Sequence, residues 1–173
     1  MLHKKTLVIG VGNPLLTDDG IGPWLIDCLE PLFSESCTFK KEIDVDFADL
    51  DDMRGYDAVI IIDAIEQSKP LGVVTLIEPP IAERIPDMIS GHGQHLFDIL
   101  DLGKRIYKDF PGRIYVIGVQ VKDPYTWHEG FSLELSNVLE ELARKVSEML
   151  SHLIGVRSWH KYIIEYNRLW RDL

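Results

Sequence analysis

Two hydrophobic periods alternate along the chain, one typical of buried strands and one typical of helices. Continuous apolar segments rich in β-branched residues predict strands over 6–11 and 58–62. Between them, apolar residues three or four positions apart predict a helix whose inner face carries Ile21, Trp24, Leu25, Cys28, Leu29 and Leu32. The chain therefore begins with a strand–loop–helix unit, and further strands follow it.

Weaker patterns predict the remaining elements. They indicate strands over 39–47, 72–78 and 114–121, and helices over 49–53, 92–100 and 132–153. Pro31 is expected near the end of the first helix and Gly155 after the last one. About eight residues separate the third strand from the fourth, fewer than the dozen or so that a parallel crossover needs. The fourth strand is therefore expected to be antiparallel to the third.

Strands that alternate with helices predict one α/β domain over 1–173, a three-layer α/β/α arrangement around a mostly parallel sheet. A helical tail is expected at about 151–173, with aromatic residues at helical spacing: Trp159, Tyr162, Tyr166 and Trp170. Two roles stay open for this tail: it packs against the core, or it forms a docking surface for a partner. Ligands of such folds bind beyond the carboxyl ends of the strands. The loop after Val11 and the residue after Ile62 are therefore expected to open into one crevice.

Composition and charge mainly exclude certain partners and types of site. The chain has 173 residues, 46% hydrophobic and 27% charged, which is ordinary for a globular protein. Its 18 basic and 28 acidic residues give a net charge of −10, which argues against nucleic-acid and anionic-membrane partners. No apolar segment approaches the roughly 18 residues of a membrane span, and no signal-peptide pattern is visible, so a cytoplasmic protein is expected. Cys28 and Cys37 have neither metal-binding nor redox spacing.

The glycine-containing loop after the first strand partly matches a dinucleotide-binding turn. Gly10 and Gly12 have the right spacing, but the next glycines come too late in the sequence. A pyrophosphate would also meet two carboxylates there, those of Asp18 and Asp19. Dinucleotide binding is therefore disfavoured.

Two carboxylates and one imidazole fall in segments that the predicted fold brings to the crevice. The Asp18–Asp19 pair supplies one carboxylate, Asp63 after the buried strand supplies another, and His92 lies in a glycine-rich turn. Each has an ordinary structural role by itself, since aspartates cap helices and loop histidines are often surface residues. Together they predict a site for a divalent metal such as Ni²⁺ or Zn²⁺, with coordination positions left open.

Residues 10–22 (GVGNPLLTDDGIG) resemble the GxGN…D[DE]xxG signature of the nickel-iron hydrogenase maturation endopeptidases. Three further landmarks follow in that family's order over about 1–150: IIDA at 61–64, His92 with Leu96 four residues later, and IGVQ at 117–120. The resemblance implies a five-stranded sheet in the order 2-1-3-5-4, with strand four antiparallel.

The same resemblance implies a function. Members of this family remove a C-terminal extension from the hydrogenase large-subunit precursor after nickel has been inserted. By resemblance, Asp19, Asp63 and His92 are the metal ligands and the catalytic residues, while Asp18 keeps a role at the helix start. Nickel is expected to come with the substrate, other divalent metals being able to substitute. The precursor is the expected partner of a monomeric enzyme.

Several alternatives stay open at this point. The metal either activates water and polarises the scissile carbonyl, or positions the peptide while a carboxylate such as Asp63 acts as general base. A non-enzymatic nickel-binding maturation factor would use the same ligands, and an unrelated small-molecule hydrolase could share the fold. No Ser or Cys has a recognisable nucleophile setting, which disfavours an acyl-enzyme. His95 and the 44–49 loop depart from the family pattern. For His95 the alternatives are a metal ligand or a substrate contact, and for the loop it is open how it meets substrate.

Overall fold

A computed structural model describes residues 5–67, 69–78 and 93–156. In these ranges five strands form one sheet in the order β2-β1-β3-β5-β4. The strands are β1 (Thr6–Val11), β2 (Thr38–Glu42), β3 (Ala58–Ile65), β4 (Val74–Ile77) and β5 (Arg113–Gln120). All neighbouring pairs are parallel except β4 with β5. The predicted strand order and the antiparallel fourth strand are confirmed.

Helices cover both faces of this sheet, which confirms the three-layer architecture. They are α1 (Ile21–Phe33), α2 (Asp49–Met53), α3 (Gly93–Ile106), α4 (Leu133–Ser136) and α5 (Leu139–Ile154). The apolar faces of α1 and α5 pack on one side of the sheet, and those of α2 and α3 pack on the other. None of the helices in the described ranges combines the length and the apolar character needed to cross a membrane.

The positions of the helices explain why residues 58–62 of the central strand β3 are continuously apolar. Successive side chains of a strand point to opposite faces. Ile60 and Ile62 pack towards α1 and α5, whereas Val59 and Ile61 pack towards α2 and α3. Because helices cover both faces, every residue of β3 is buried.

Two strand predictions need correction at their ends. The second strand stops at Glu42 instead of continuing to Phe47. The third strand does not end before Asp63, because β3 continues through that residue to Ile65 and pairs with β5 along its whole length. The hydrophobic pattern placed the end of this strand too early, because the backbone of a buried polar residue can still pair with the neighbouring strand.

The predicted long C-terminal helix is two helices. Ser132 caps the start of α4, and its hydroxyl accepts a hydrogen bond from the Leu135 amide. The helix is interrupted after Ser136, and α5 begins at Leu139. Gly155 ends α5 in a left-handed conformation with φ 74°, as predicted. Pro31 lies in the last turn of α1, near its end, as predicted. The aromatic stripe of the expected tail lies outside the described residues, as does the expected helix start at His92.

Candidate active site

The β1–α1 loop folds tightly enough to fix the carboxylate of Asp19. Gly12 has φ 140°, and a Cβ atom there would lie 1.9 Å from the Asp19 carbonyl oxygen. The Asn13 amide donates a 2.6 Å hydrogen bond to Asp19 Oδ2. Asp19 is 6% exposed and belongs to a 3₁₀ turn, Thr17–Gly20, that leads into α1. The loop thus holds a carboxylate beyond the carboxyl end of β1.

The first turn of α1 lies directly against the ends of two strands. A Cβ atom at Gly22 would lie 2.1 Å from the Val11 carbonyl oxygen and 2.7 Å from that of Ile62. No side chain fits in this space, so glycine allows the helix to approach the backbone. The Thr17–Gly20 turn also contacts β3. The segment that carries Asp19 is therefore a neighbour of the strand that carries Asp63.

Asp63 is a buried carboxylate within a strand. It is 2% exposed and pairs with Gly118 of β5. By the alternation of the strand it shares a face with Ile61 and Ile65, the face that α3 covers. Its cross-strand neighbour Gly118 brings no side chain to that face. Asp63 is therefore held rigidly by the sheet near its carboxyl edge.

Asp18 has a role that the sequence did not indicate. It is fully buried and does not cap the helix start, which corrects the expectation for this residue. Oδ2 accepts hydrogen bonds from the Lys122 amide at 3.2 Å, the Asp123 amide at 3.0 Å and the Ser132 hydroxyl at 2.9 Å, while Oδ1 accepts from the Ser132 amide at 2.7 Å. A buried carboxylate needs such donors. Asp18 thereby anchors the loop 121–132 between β5 and α4.

Thr17 strengthens the connection between the two loops. Its hydroxyl donates to the Thr126 carbonyl at 2.6 Å, and its amide donates to the His128 carbonyl at 3.0 Å. The His128 amide in turn donates to the Leu15 carbonyl at 3.1 Å. Thr17 has φ 36°, an unfavourable conformation for a β-branched residue, and these contacts hold it there. The β1–α1 loop and the 121–132 loop therefore form one unit.

Tyr125 connects this unit to the end of β3. Its hydroxyl donates a 2.9 Å hydrogen bond to Glu66, the residue after β3. Burial raises the pKa of the Tyr125 phenol, and so do the hydrogen bond to Glu66 and the negative charges of Glu66 and Asp19. The hydrogen bond thus ties the 121–132 loop to the end of β3, the strand that carries Asp63.

The structure brings two of the three predicted site residues to one edge of the sheet. Asp19 lies beyond the end of β1, and Asp63 lies near the end of the adjacent β3. His92 lies outside the described residues. Within 5–67, 69–78 and 93–156, no group of three or more His, Cys, Asp or Glu residues could hold a metal ion. His95 is exposed in the first turn of α3, and its contact with substrate stays a prediction.

Comparisons with known proteins decide the family. The family model described as "Hydrogenase maturation protease" matches residues 45–151, more than half of the chain. The chain belongs to the hydrogenase maturation protease family. Hydrogenase maturation proteases hydrolyse peptide bonds, so the protein is an endopeptidase involved in hydrogenase processing. The matched range contains Asp63 and His92 in sequence and begins after Asp19.

Individual members of the hydrogenase maturation protease family agree with this assignment. The chain is 29% identical over 147 residues to hydrogenase 2 maturation protease of Escherichia coli K12, covering 82% of this chain and 88% of that protein. The solved hydrogenase maturating endopeptidase HybD of E. coli has a TM-score of 0.70 at 26% identity, covering 86% and 93% of the two chains. The HycI protease of Thermococcus kodakarensis, at 21% identity with a TM-score of 0.65 and the same coverage, shares the fold.

Proposed function

We propose that this hydrogenase maturation protease removes a C-terminal extension from a nickel-iron hydrogenase large-subunit precursor after nickel insertion. It recognises the nickel of its substrate through Asp19, Asp63 and His92. The observation that carries the proposal is the pair of buried carboxylates, 6% and 2% exposed, at adjoining strand ends in a peptide-bond hydrolase.

The chemistry of the three side chains suits a divalent cation. Removing carboxylate charges from water costs several kcal/mol, roughly, unless opposite charge or hydrogen bonds compensate. Carboxylate oxygens and an imidazole nitrogen are suitable ligands for Ni²⁺, and three protein ligands leave positions for groups of the substrate. His92 directly precedes α3, the helix that covers the face of Asp63, which supports including it.

The chain's own contribution is mainly positioning. The Asn13 amide orients the Asp19 carboxylate, and the pairing of β3 with β5 fixes the backbone of Asp63. Nickel held by the precursor would either polarise the scissile carbonyl as a Lewis acid or only position the peptide. Asp63 is also suited to accept a proton from the attacking water, because it lies buried in a rigid strand.

The decisive experiment compares nickel-loaded and nickel-free precursor. Each is incubated with the purified protein, and mass spectrometry of the precursor detects loss of the extension. We expect trimming of the loaded form only. Equal cleavage of both forms would remove nickel recognition from the proposal. Stable binding without cleavage of the loaded form would instead favour a non-enzymatic maturation factor.

Substitution of Asp63 tests its place in the site. Asp63→Asn keeps the shape of the side chain and removes its charge, so we expect processing to be abolished and the melting temperature to change little. Asp98→Asn is the control. Asp98 is an exposed carboxylate on α3, so this variant should process the precursor normally. Processing retained by the Asp63 variant would exclude Asp63 from the site.

A further inference from the structure

Exposed apolar side chains are concentrated at one edge of the sheet. Nine large apolar side chains are exposed in the described residues, and three of them, Leu76, Leu102 and Ile106, lie in β4 and α3. The other six follow the carboxyl ends of β1, β2 and β5, and we call them the apolar rim: Leu15, Ile43, Phe47, Tyr125, Trp127 and Leu133. This is the edge at which Asp19 and Asp63 lie.

Backbone hydrogen bonds join the segments that carry the rim. The hydrogen bond from the His128 amide to the Leu15 carbonyl connects the segment of Trp127 with the β1–α1 loop. The Gly12 amide donates to the Glu42 carbonyl at 3.0 Å, which connects the same loop with the segment of Ile43 and Phe47. The loop segments that carry Leu15, Trp127 and Ile43 are thus joined to one another at the edge where Asp19 lies.

The rim is exposed although its backbone is fixed. Trp127 is 75% exposed and Leu133 is 77% exposed. The 121–132 loop that precedes Leu133 and contains Trp127 is nevertheless held by side-chain hydrogen bonds to Asp18 and Thr17. Contiguous exposed apolar surface is typical of interaction sites, and a fixed backbone reduces the entropy lost on binding. Tryptophan and tyrosine are the residues that most often dominate binding energy in such surfaces.

Acidic side chains lie near the part of the rim that follows β5. Tyr125 is hydrogen-bonded to the carboxylates of Glu66 and Asp123, and Glu129 follows Trp127 by two residues in the sequence. The nearby cation Lys122 is paired with Glu134. Hydrogen bonds from Thr126 and Tyr125 lower the pKa of Asp123, so that it stays charged. Complementarity therefore favours a ligand with both apolar and basic side chains.

We propose that the apolar rim is the docking surface for the precursor polypeptide, and that it binds a segment with apolar and basic side chains near the scissile bond. The inference rests on the proposed function, because it takes the occupant to be the substrate of the adjoining site. Its further content is that Trp127 and Leu133, which follow β5, determine how tightly that substrate binds.

Kinetics with nickel-loaded precursor test the docking surface. For Trp127→Ala and for Leu133→Ala, we expect KM to rise about tenfold, as for a central interface residue, with kcat within about twofold of the parent. Both side chains are mostly exposed, so folding should be unaffected. Ile106→Ala is the matched control, because Ile106 is 48% exposed on α3 outside the rim and should leave KM unchanged. KM of the parent should also rise with salt concentration.

A binding titration of purified precursor separates the two proposals. If the parent cleaves the precursor but the rim variants keep the parental KM and Kd, the docking proposal is overturned and the proposed function stands. If the parent binds without cleaving and Trp127→Ala weakens Kd about tenfold, the docking surface stands and the proteolytic assignment of this site fails. Sedimentation that shows a dimer lost in Trp127→Ala, with KM unchanged, would make the rim a self-association surface and overturn docking.

Discussion

The strongest test of the site's architecture is the substitution Asp18→Asn. The parent carboxylate accepts four hydrogen bonds, three at Oδ2 and one at Oδ1. Asparagine has one oxygen, so its best orientation keeps the three bonds and turns an NH₂ group towards the amide of Ser132. One charge-assisted bond is then lost, and two donors face each other in a buried place.

The magnitude follows from these bonds. A hydrogen bond to a charged group contributes about 1.5–3 kcal/mol, and the three remaining bonds weaken when the acceptor becomes neutral. We therefore expect the unfolding free energy to fall by about 3 kcal/mol. For a chain of 173 residues this corresponds to a melting temperature lower by about 6–12 °C. Processing should fall as well, because Asp18 holds the 121–132 loop beside the candidate site.

Urea and thermal unfolding followed by circular dichroism measure the change. Asp27→Asn is the control, because Asp27 is an exposed carboxylate paired with Lys41 and should change stability by less than about 0.5 kcal/mol. Asp18→Ala should be less stable than Asp18→Asn, since it leaves all four donors without an acceptor. An asparagine variant as stable as the parent would refute this account of the anchor.

Two further predictions concern packing and the thiols. Gly22→Ala should lower the unfolding free energy, measured in urea, by about 3 kcal/mol, because its Cβ would lie 2.1 and 2.7 Å from strand carbonyl oxygens. Gly112→Ala is the control and should be nearly neutral, because the space around Gly112 is open. A stable Gly22 variant would contradict the close approach. Burial raises the pKa of Cys28 and Cys37 to about 12, so Ellman's reagent at pH 8 should react with both thiols only after unfolding. Because unfolded thiols release protons near pH 9.0, stability should also fall above that pH, and a constant urea midpoint between pH 8 and 10 would contradict the shift.

The fold could be predicted from local patterns because its central strands β1 and β3 are almost entirely apolar and buried. The buried segments at 6–11 and 58–62 marked two central strands, and the short connection after Asp63 fixed the direction of β4. The resemblance supplied the strand order. Element ends were less predictable, since β3 continues through a polar residue and the helix is interrupted at Asn137 and Val138, between α4 and α5.

The candidate site was predictable only in part. Asp63 stood out because a carboxylate next to a buried strand is unusual, and Asp19 could be separated from Asp18 only by resemblance. The anchoring role of Asp18 left no local signal, because its donors at Lys122, Asp123 and Ser132 lie 104 to 114 residues later in the sequence. The placement of His92 stays a prediction.

That separation in sequence has a consequence for how the enzyme comes into being. A growing chain that has already made β1, α1 and β3 still lacks every described donor for Asp18, because two of them come with Lys122 and Asp123 and the other two with Ser132. The contacts that organise the substrate side of the molecule are among its most non-local, and such contacts form late because a long loop must close first. The hydrogen bonds that hold the 121–132 loop beside the candidate site should therefore form only after the chain has been synthesised as far as Ser132.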